Sequence, residues 1–220
     1  MEKELFDKLP FWENLTEKEK DLVAQSAVIK TYEKGEIIHS SDDLCLGAIN
    51  IISGEVRTFM MSDEGREITL FKIGEGETCV LSAACVMDAI SFEVQMIAED
   101  KCEILIITAA VLSKLSESNI YVKCFMYETA TERFSDVMWA MQQLLFLRID
   151  QRIASFLIDE SVKNKSDEIQ MTHEQIAVQI NSAREVVARM LKRFESEKIV
   201  ELGRGKITIT DKESLKRLVL

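Results

Sequence analysis

The chain has 220 residues, with 27 Lys and Arg against 38 Asp and Glu, a net charge of −11. That length allows one large or two modest domains. No apolar run approaches the roughly 20 residues of a membrane span, and from the charged opening MEKELFDKLP no secretory signal is expected. Five cysteines (Cys45, Cys79, Cys85, Cys102, Cys124) form an odd, irregular set, so a disulfide framework is not expected. A soluble, cytoplasmic protein with inert buried thiols is expected. There is no Gly-rich phosphate loop, no metal-ligand spacing and no nucleophile elbow, so the sequence predicts neither an enzyme nor a bound metal or cofactor.

Thr16, with Glu19 three residues on, can cap a helix predicted over Thr16 to Ile29. Short β runs follow, punctuated by Gly and Asp: YEKGEIIHS, AINIISGEVRTFM, EITLFKIGEGE and CEILIITAA. Turns fall at Ser53-Gly54 and Asp63-Glu64-Gly65. Regularly spaced alternating runs predict an antiparallel barrel or roll over residues 1–117, of a size that holds one small ligand. From Ser118 to Leu147 the chain has neither Gly nor Pro. Tyr127, Ala130, Phe134, Val137, Met141 and Leu144 alternate spacings of three and four there, a heptad seam that predicts a dimer helix over 118–147. The stretch RIDQRIASFLIDESV reads as a bracing helix with Ile149, Ile153, Phe156 and Leu157 inward, and Lys163 to Glu168 reads as a polar loop.

THEQIAVQINSAREVVARMLKRF, Thr172 to Phe194, predicts two short helices and a tight turn. Thr172 and Gln175 form a capping-box pattern, and Ile176, Ala177 and Ile180 form the buried stripe. Asn181 suits a left-handed helix end. Ser182 is placed as the cap of the second helix. In that helix Val187, Met190, Leu191 and Phe194 face the core, while Arg184, Glu185, Ala188, Arg189 and Lys192 lie opposite. Arginine reads guanine bidentately in the major groove, and glutamate accepts from cytosine. Next, Ile199 to Leu202 and Lys206 to Ile209 flank Gly203-Arg204-Gly205, a hairpin that reads as a wing with Arg204 and Lys206 toward phosphates. Thr172, His173 and Ser182 complete the candidate DNA contacts. Charge agrees with this division: residues 1–147 carry 13 basic against 26 acidic side chains, and residues 148–220 carry 14 against 12. Positive potential is thus confined to the last third, the predicted DNA-binding domain, and an acidic remainder helps to orient the docked face.

The order of roll, long helix and winged helix-turn-helix, with YEKGEII, ISGEVRTF, DEGREITLFKIGEGE and SAREVVARMLKRF as its markers, resembles the CRP/FNR family of cyclic-AMP-receptor and fumarate–nitrate regulators. The resemblance covers essentially the whole chain. It implies an α+β architecture, with a cyclic-nucleotide-binding-like (cupin-like) roll, a long dimerisation helix and a C-terminal winged helix-turn-helix. It also implies a homodimeric transcription regulator acting on a palindromic operator in double-stranded DNA. RNA polymerase and a small-molecule effector are the further partners this reading allows; a membrane is not. Arg184, Glu185 and Arg189 match the reading residues of the cyclic-AMP-receptor type, which implies a half-site similar to TGTGA.

The departures concern the effector. Val80-Leu81 stand where cyclic-nucleotide members carry the ribose-binding Gly-Glu, and Ser91-Phe92 stand where they carry the phosphate-binding Arg-Ser. With no cation facing the phosphate, a cyclic nucleotide is not expected, and the chain is placed in the non-cyclic-nucleotide branch. The N-terminal cysteines of the iron–sulfur members are absent. Haem would need an axial ligand such as His39 and is not expected either. The candidate effector pocket comprises Thr78, Cys79, Leu81, Ser82, Cys85, Ser91, Phe92, Tyr121 and Phe125, suited to an apolar or weakly polar ligand. Two alternatives stay open: redox sensing through Cys79 and Cys85, and a ligand-binding dimeric scaffold without DNA readout.

Overall fold

The computed structural model describes residues 5–40, 45–86 and 94–219. The chain divides into two compact units, Met1–Arg66 with Leu70–Met138, and Glu67–Thr69 with Trp139–Leu220.

In the first unit, helix α1 (Glu17–Ser26) is capped as its sequence requires. Thr16 Oγ1 accepts from the Glu19 N–H at 3.4 Å, and Glu19 Oε2 accepts from the Thr16 N–H at 2.8 Å. The same backbone hydrogen bond holds the Glu19 carboxyl below its ordinary pKa. The helix stops before the predicted end. Ala27 is extended, and the β-branched pair Val28-Ile29 starts strand β1 (Val28–Tyr32), where it pairs with Ile106 and Leu105.

Strands β2 (Ile37–His39), β3 (Gly47–Ser53), β4 (Val56–Met61), β5 (Glu67–Ile73), β6 (Thr78–Cys79), β7 (Gln95–Ala98) and β8 (Cys102–Thr108) build two four-stranded sheets, ordered β1-β8-β3-β6 and β2-β7-β4-β5. The assigned pairings among them are antiparallel. Ala48, Leu105 and Ile107 pack on the helices, so Ile49, Ile51, Ile104 and Ile106 turn by alternation to the opposite face. β3 is therefore buried along most of its length rather than at alternate positions. Gly47, at φ 118°, lies so close to the neighbouring strand that a Cβ would overlap the Ile107 carbonyl oxygen.

Ala109 and Ala110, expected at the end of a strand, instead open helix α2 (Ala109–Ser118). Its Val111, Leu112 and Leu115 fall at helical spacing and join Val23, Val122, Phe125 and Met126 in one core. That spacing was present in the sequence behind a strong β run. Helix α3 (Ile120–Phe146) buries Val122, Phe125, Met126, Thr129, Arg133 and Ala140. Of the heptad seam, Tyr127, Phe134 and Met141 are exposed in the single chain, and Ala130, Val137 and Leu144 are half-buried.

The second unit takes in the end of α3 from Trp139 and continues with α4 (Ile149–Asn164), β9 (Glu168–Ile169), α5 (His173–Gln179), α6 (Arg184–Ser196), β10 (Val200–Gly203), β11 (Lys206–Ile209) and α7 (Lys212–Val219). The predicted polar loop ends early. Glu168 and Ile169 form a strand against Thr208 and Ile207, so the wing is a three-stranded sheet ordered β10-β11-β9. Ile169 supplies the reason, because it is fully buried in the core with Ile153, Leu157, Val187, Leu191, Phe194 and Ile207.

Candidate nucleic-acid interface

α5 begins with the predicted capping box. Thr172 Oγ1 accepts from the Gln175 N–H at 3.2 Å, and Gln175 Oε1 accepts from the Thr172 N–H at 2.8 Å. Its buried face is Ile176, Ala177 and Ile180. Asn181 follows at φ 54°, the left-handed conformation expected of it. Ser182 does not cap the next helix. The N-cap is Ala183, whose side chain accepts nothing, and the Ser182 N–H instead donates to the Ala177 carbonyl at 2.8 Å. The turn is one residue longer than the capping pattern suggested, because Ser182 is still needed to close the end of α5.

Sequence reading missed Arg152 of α4. Its guanidinium donates to the Ile180 carbonyl and, at 3.0 Å, to the Asn181 carbonyl. The carbonyls left open where α5 ends are thereby satisfied. Asp150, nearly buried, accepts from Arg148 at 2.9 Å and lies 3.8 Å from Arg193. The Arg148 hydrogen bonds hold its carboxyl below the usual range. Nothing in local spacing announces the Arg152 or Arg193 contact, since each joins segments distant in sequence.

On α6, Val187, Leu191 and Phe194 are buried, whereas Arg184, Glu185, Arg189 and Lys192 are exposed and Ala188 is half-buried. Charge pairing separates two groups of cations. Arg193 is tied to Glu197 at 2.8 Å, Lys206 to Glu168 at 2.8 Å, Lys216 to Glu213 at 2.8 Å, and Lys212 to Asp167. Arg184, Arg189, Lys192 and Arg204 make no ion pair among the described residues. Arg184 and Arg189 thus lie unpaired on the predicted reading face and Arg204 at the wing tip, while Lys198 and Arg217 are unpaired, among the described residues, elsewhere in the unit. A groove of about 480 Å³ runs between α5, α6 and the wing, lined in part by Thr172, His173, Arg184, Gly205 and Lys206. Of the predicted DNA contacts, Thr172, His173, Arg184 and Lys206 share this one concavity.

In the first unit the predicted effector residues scatter. Cys79 and Ser82 are buried, and Ser82 Oγ donates to the Gly47 carbonyl at 2.6 Å. Leu81 is buried and Thr78 half-buried, on β6 and the turn after it. Tyr121 faces solvent, whereas Phe125 is core, its ring 4.9 Å from Phe11. Ser91, Phe92 and the Cys85 side chain lie outside the described residues. Burial pushes the Cys79 thiol up to about 11. Cys45 is disulfide-bonded and Cys124 exposed, so the expectation of five inert buried thiols fails at both; tertiary approach, not spacing, sets such a pairing. His39 closes β2. Among the described residues no cluster of three or more His, Cys, Asp or Glu is placed to hold a metal. The sequence reading also overlooked Arg133. Its side chain is only 9% exposed, 3.0 Å from Asp136 and 3.6 Å from Glu77, with the guanidinium over Phe71 and Nε without a partner.

An antiparallel roll, a 27-residue helix and a winged helix-turn-helix with exposed, unpaired arginines on its second helix define a DNA-binding regulator architecture. Comparison with known proteins agrees. The family model for the Crp-like helix-turn-helix domain matches residues 151–218, and that for the cyclic nucleotide-binding domain matches residues 29–119. The solved structure of a transcriptional regulator of the CRP/FNR family from Eubacterium rectale is 39% identical, with a TM-score of 0.91, over 97% of this chain and 99% of that one. The cyclic AMP receptor protein of Thermus thermophilus is 23% identical over 209 residues, 95% of this chain and 96% of that protein. The c-di-GMP-responsive regulator CLP of Xanthomonas campestris, at 17% identity and a TM-score of 0.74 over 88% of this chain and 98% of that one, shares the fold. The chain belongs to the CRP/FNR family of transcription regulators, which are not enzymes. No described helix is long and apolar enough to cross a membrane.

Proposed function

We propose that the protein acts as a homodimer on a palindromic operator, with Arg184 and Arg189 on guanines and Glu185 on a cytosine of a TGTGA-like half-site. The observation that carries this is the unpaired state of Arg184, Arg189, Lys192 and Arg204 among the described residues, beside Arg193, Lys206, Lys212 and Lys216, which are held in ion pairs. Exposed cations left without carboxylates keep their charge available to an incoming phosphodiester. The exposed seam of α3 supports the dimer. Tyr127 is 50% exposed, Phe134 60% and Met141 45%, each seven residues from the next, and an apolar stripe along a long helix is suited to a second copy. Two-fold symmetry then matches half-sites about one helical turn apart. RNA polymerase is a further partner of the same complex.

The roll is proposed to sense an effector other than a cyclic nucleotide, near Thr78 to Val94 and the start of α3. Val80 and Leu81 are buried and apolar where a ribose would need polar partners. Cys79, buried with its thiol pushed up to about 11, is a poor thiolate nucleophile and does not favour the redox reading.

Fluorescence anisotropy of the reduced protein on a TGTGA/TCACA palindrome and on a scrambled duplex, at two salt concentrations, tests the function. Preference for the palindrome with a steep salt dependence is expected. Glu185→Ala should relax discrimination at one base pair by about 1–3 kcal/mol. Identical profiles for wild type and mutant at every position would sink the base assignment, and salt-insensitive binding would favour the scaffold alternative.

A further inference from the structure

Among the described residues, Lys206 is the one predicted DNA-contacting cation that is already neutralised. Its Nζ lies 2.8 Å from Glu168 Oε2, and the two side chains are 49% and 39% exposed. The pairing is built into the wing. Glu168 stands opposite Thr208 in the β9–β11 register, and Lys206 stands opposite Gly203 in the β10–β11 register. Gly203 lets the lysine stem lie flat on the strand, since a Cβ there would come within 2.8 Å of Lys206 Cγ. The same lysine lines the groove that holds Thr172, His173, Arg184 and Gly205. Glu201 adds only a longer-range field at Lys206, so Glu168 is its contacting carboxylate. An exposed ion pair contributes little to folding and exchanges readily.

From this geometry, and resting on the DNA-binding reading above, we infer that Glu168 is a positioning residue that holds Lys206 in the DNA-free protein and surrenders it to a backbone phosphate on binding. Glu168 thereby sets the strength of sequence-independent binding and leaves base discrimination untouched. No bond is made or broken in the exchange; one carboxylate oxygen is replaced by one phosphate oxygen on the ammonium. Hydrogen bonding to Glu168 raises the Lys206 pKa, and the reciprocal bond lowers that of Glu168, in keeping with a direct contact.

The test is a double-mutant cycle on the full-length protein with Glu168→Gln and Lys206→Gln, read as duplex affinity against salt on both the palindrome and a scrambled duplex. Glu168→Gln should tighten both duplexes equally, by up to about fivefold per protomer, the range of exposed pairs. Lys206→Gln should weaken both and flatten the log–log salt slope by about 0.9 per lysine lost. In the Lys206→Gln background the gain from Glu168→Gln should largely vanish. Three outcomes overturn the inference: an equal gain with and without Lys206, which leaves only general repulsion between Glu168 and DNA; no gain at all; or a gain confined to the palindrome. Wild type that shows no salt-dependent binding to either duplex defeats the DNA-binding reading itself. Wild type that binds with a clear slope while the cycle is additive defeats only the exchange.

Discussion

Replacing Arg152 with Met keeps most of the aliphatic stem and removes the guanidinium that spans the Ile180 and Asn181 carbonyls. A hydrogen bond to a charged group contributes about 1.5–3 kcal/mol. Both acceptors sit in a part-buried turn and regain some water, so about 2–3 kcal/mol in total is the expected loss rather than the full sum. The same turn holds Asn181 at φ 54°, a conformation that costs a non-glycine residue about 1–2 kcal/mol. Without Arg152 the Asn181 side chain keeps its two bonds to Thr69, but the main-chain carbonyls of the turn lose their donor and the turn before α6 loosens. With an m-value of about 2 kcal/mol per molar urea, the midpoint for the second unit should fall by about 1 M, read by far-UV circular dichroism. Affinity for the palindrome should drop more than affinity for a scrambled duplex, because phosphate contacts tolerate a misaligned helix better than base contacts do. Arg152→Lys should recover part of the stability through a single donor. An unchanged midpoint, or equal losses on both duplexes, would refute the assignment of Arg152 as the support of this turn.

Three further outcomes follow from the geometry. Phe134→Asp places a charge in the exposed seam of α3 and should shift the protein toward monomer in analytical ultracentrifugation; an unchanged sedimentation coefficient removes the seam as the dimer contact. Asp150 has a depressed folded pKa, so the stability it supplies is present above its unfolded value of about 3.9 and is lost as pH falls through the lower folded value. Asp150→Asn should therefore be less stable than wild type at neutral pH, with the difference shrinking below about pH 4; a gap that stays constant in urea titrations down to about pH 2 would contradict this. Iodoacetamide at about pH 8 should modify exposed Cys124 in the native protein and spare Cys79, whose thiol is held up at about 11; equal labelling by mass spectrometry would show that Cys79 is reachable.

The periodic parts of the chain were legible because local chemistry decides them. Both capping boxes, Thr16 with Glu19 and Thr172 with Gln175, form as written, and the apolar stripe of α6 is the stripe its spacing gives. Errors arose where two local preferences competed. Val28-Ile29 could extend a helix or open a strand, and pairing with β8 decided it. Ser182 could cap α6 or close α5, and closure won. Ala109–Ser118 was hidden behind the β run before it. The groups that tune the interface were not legible, because Arg152, Asp150 and Glu168 act on partners 28, 43 and 38 positions away in sequence. Only tertiary structure brings such pairs together.

Gly47 carries a consequence for genetics. Every substitution there places a Cβ into the backbone of the neighbouring strand, and Gly54 is similar, with a Cβ due within 2.6 Å of the Lys101 carbonyl oxygen. A saturation screen for lost repression or activation will therefore return positions 47 and 54 beside 184 and 185, with nothing in the phenotype to separate them. Cellular abundance separates them: the glycine alleles should vanish from a soluble-protein blot, whereas the arginine and glutamate alleles should accumulate as full-length, folded and mute protein.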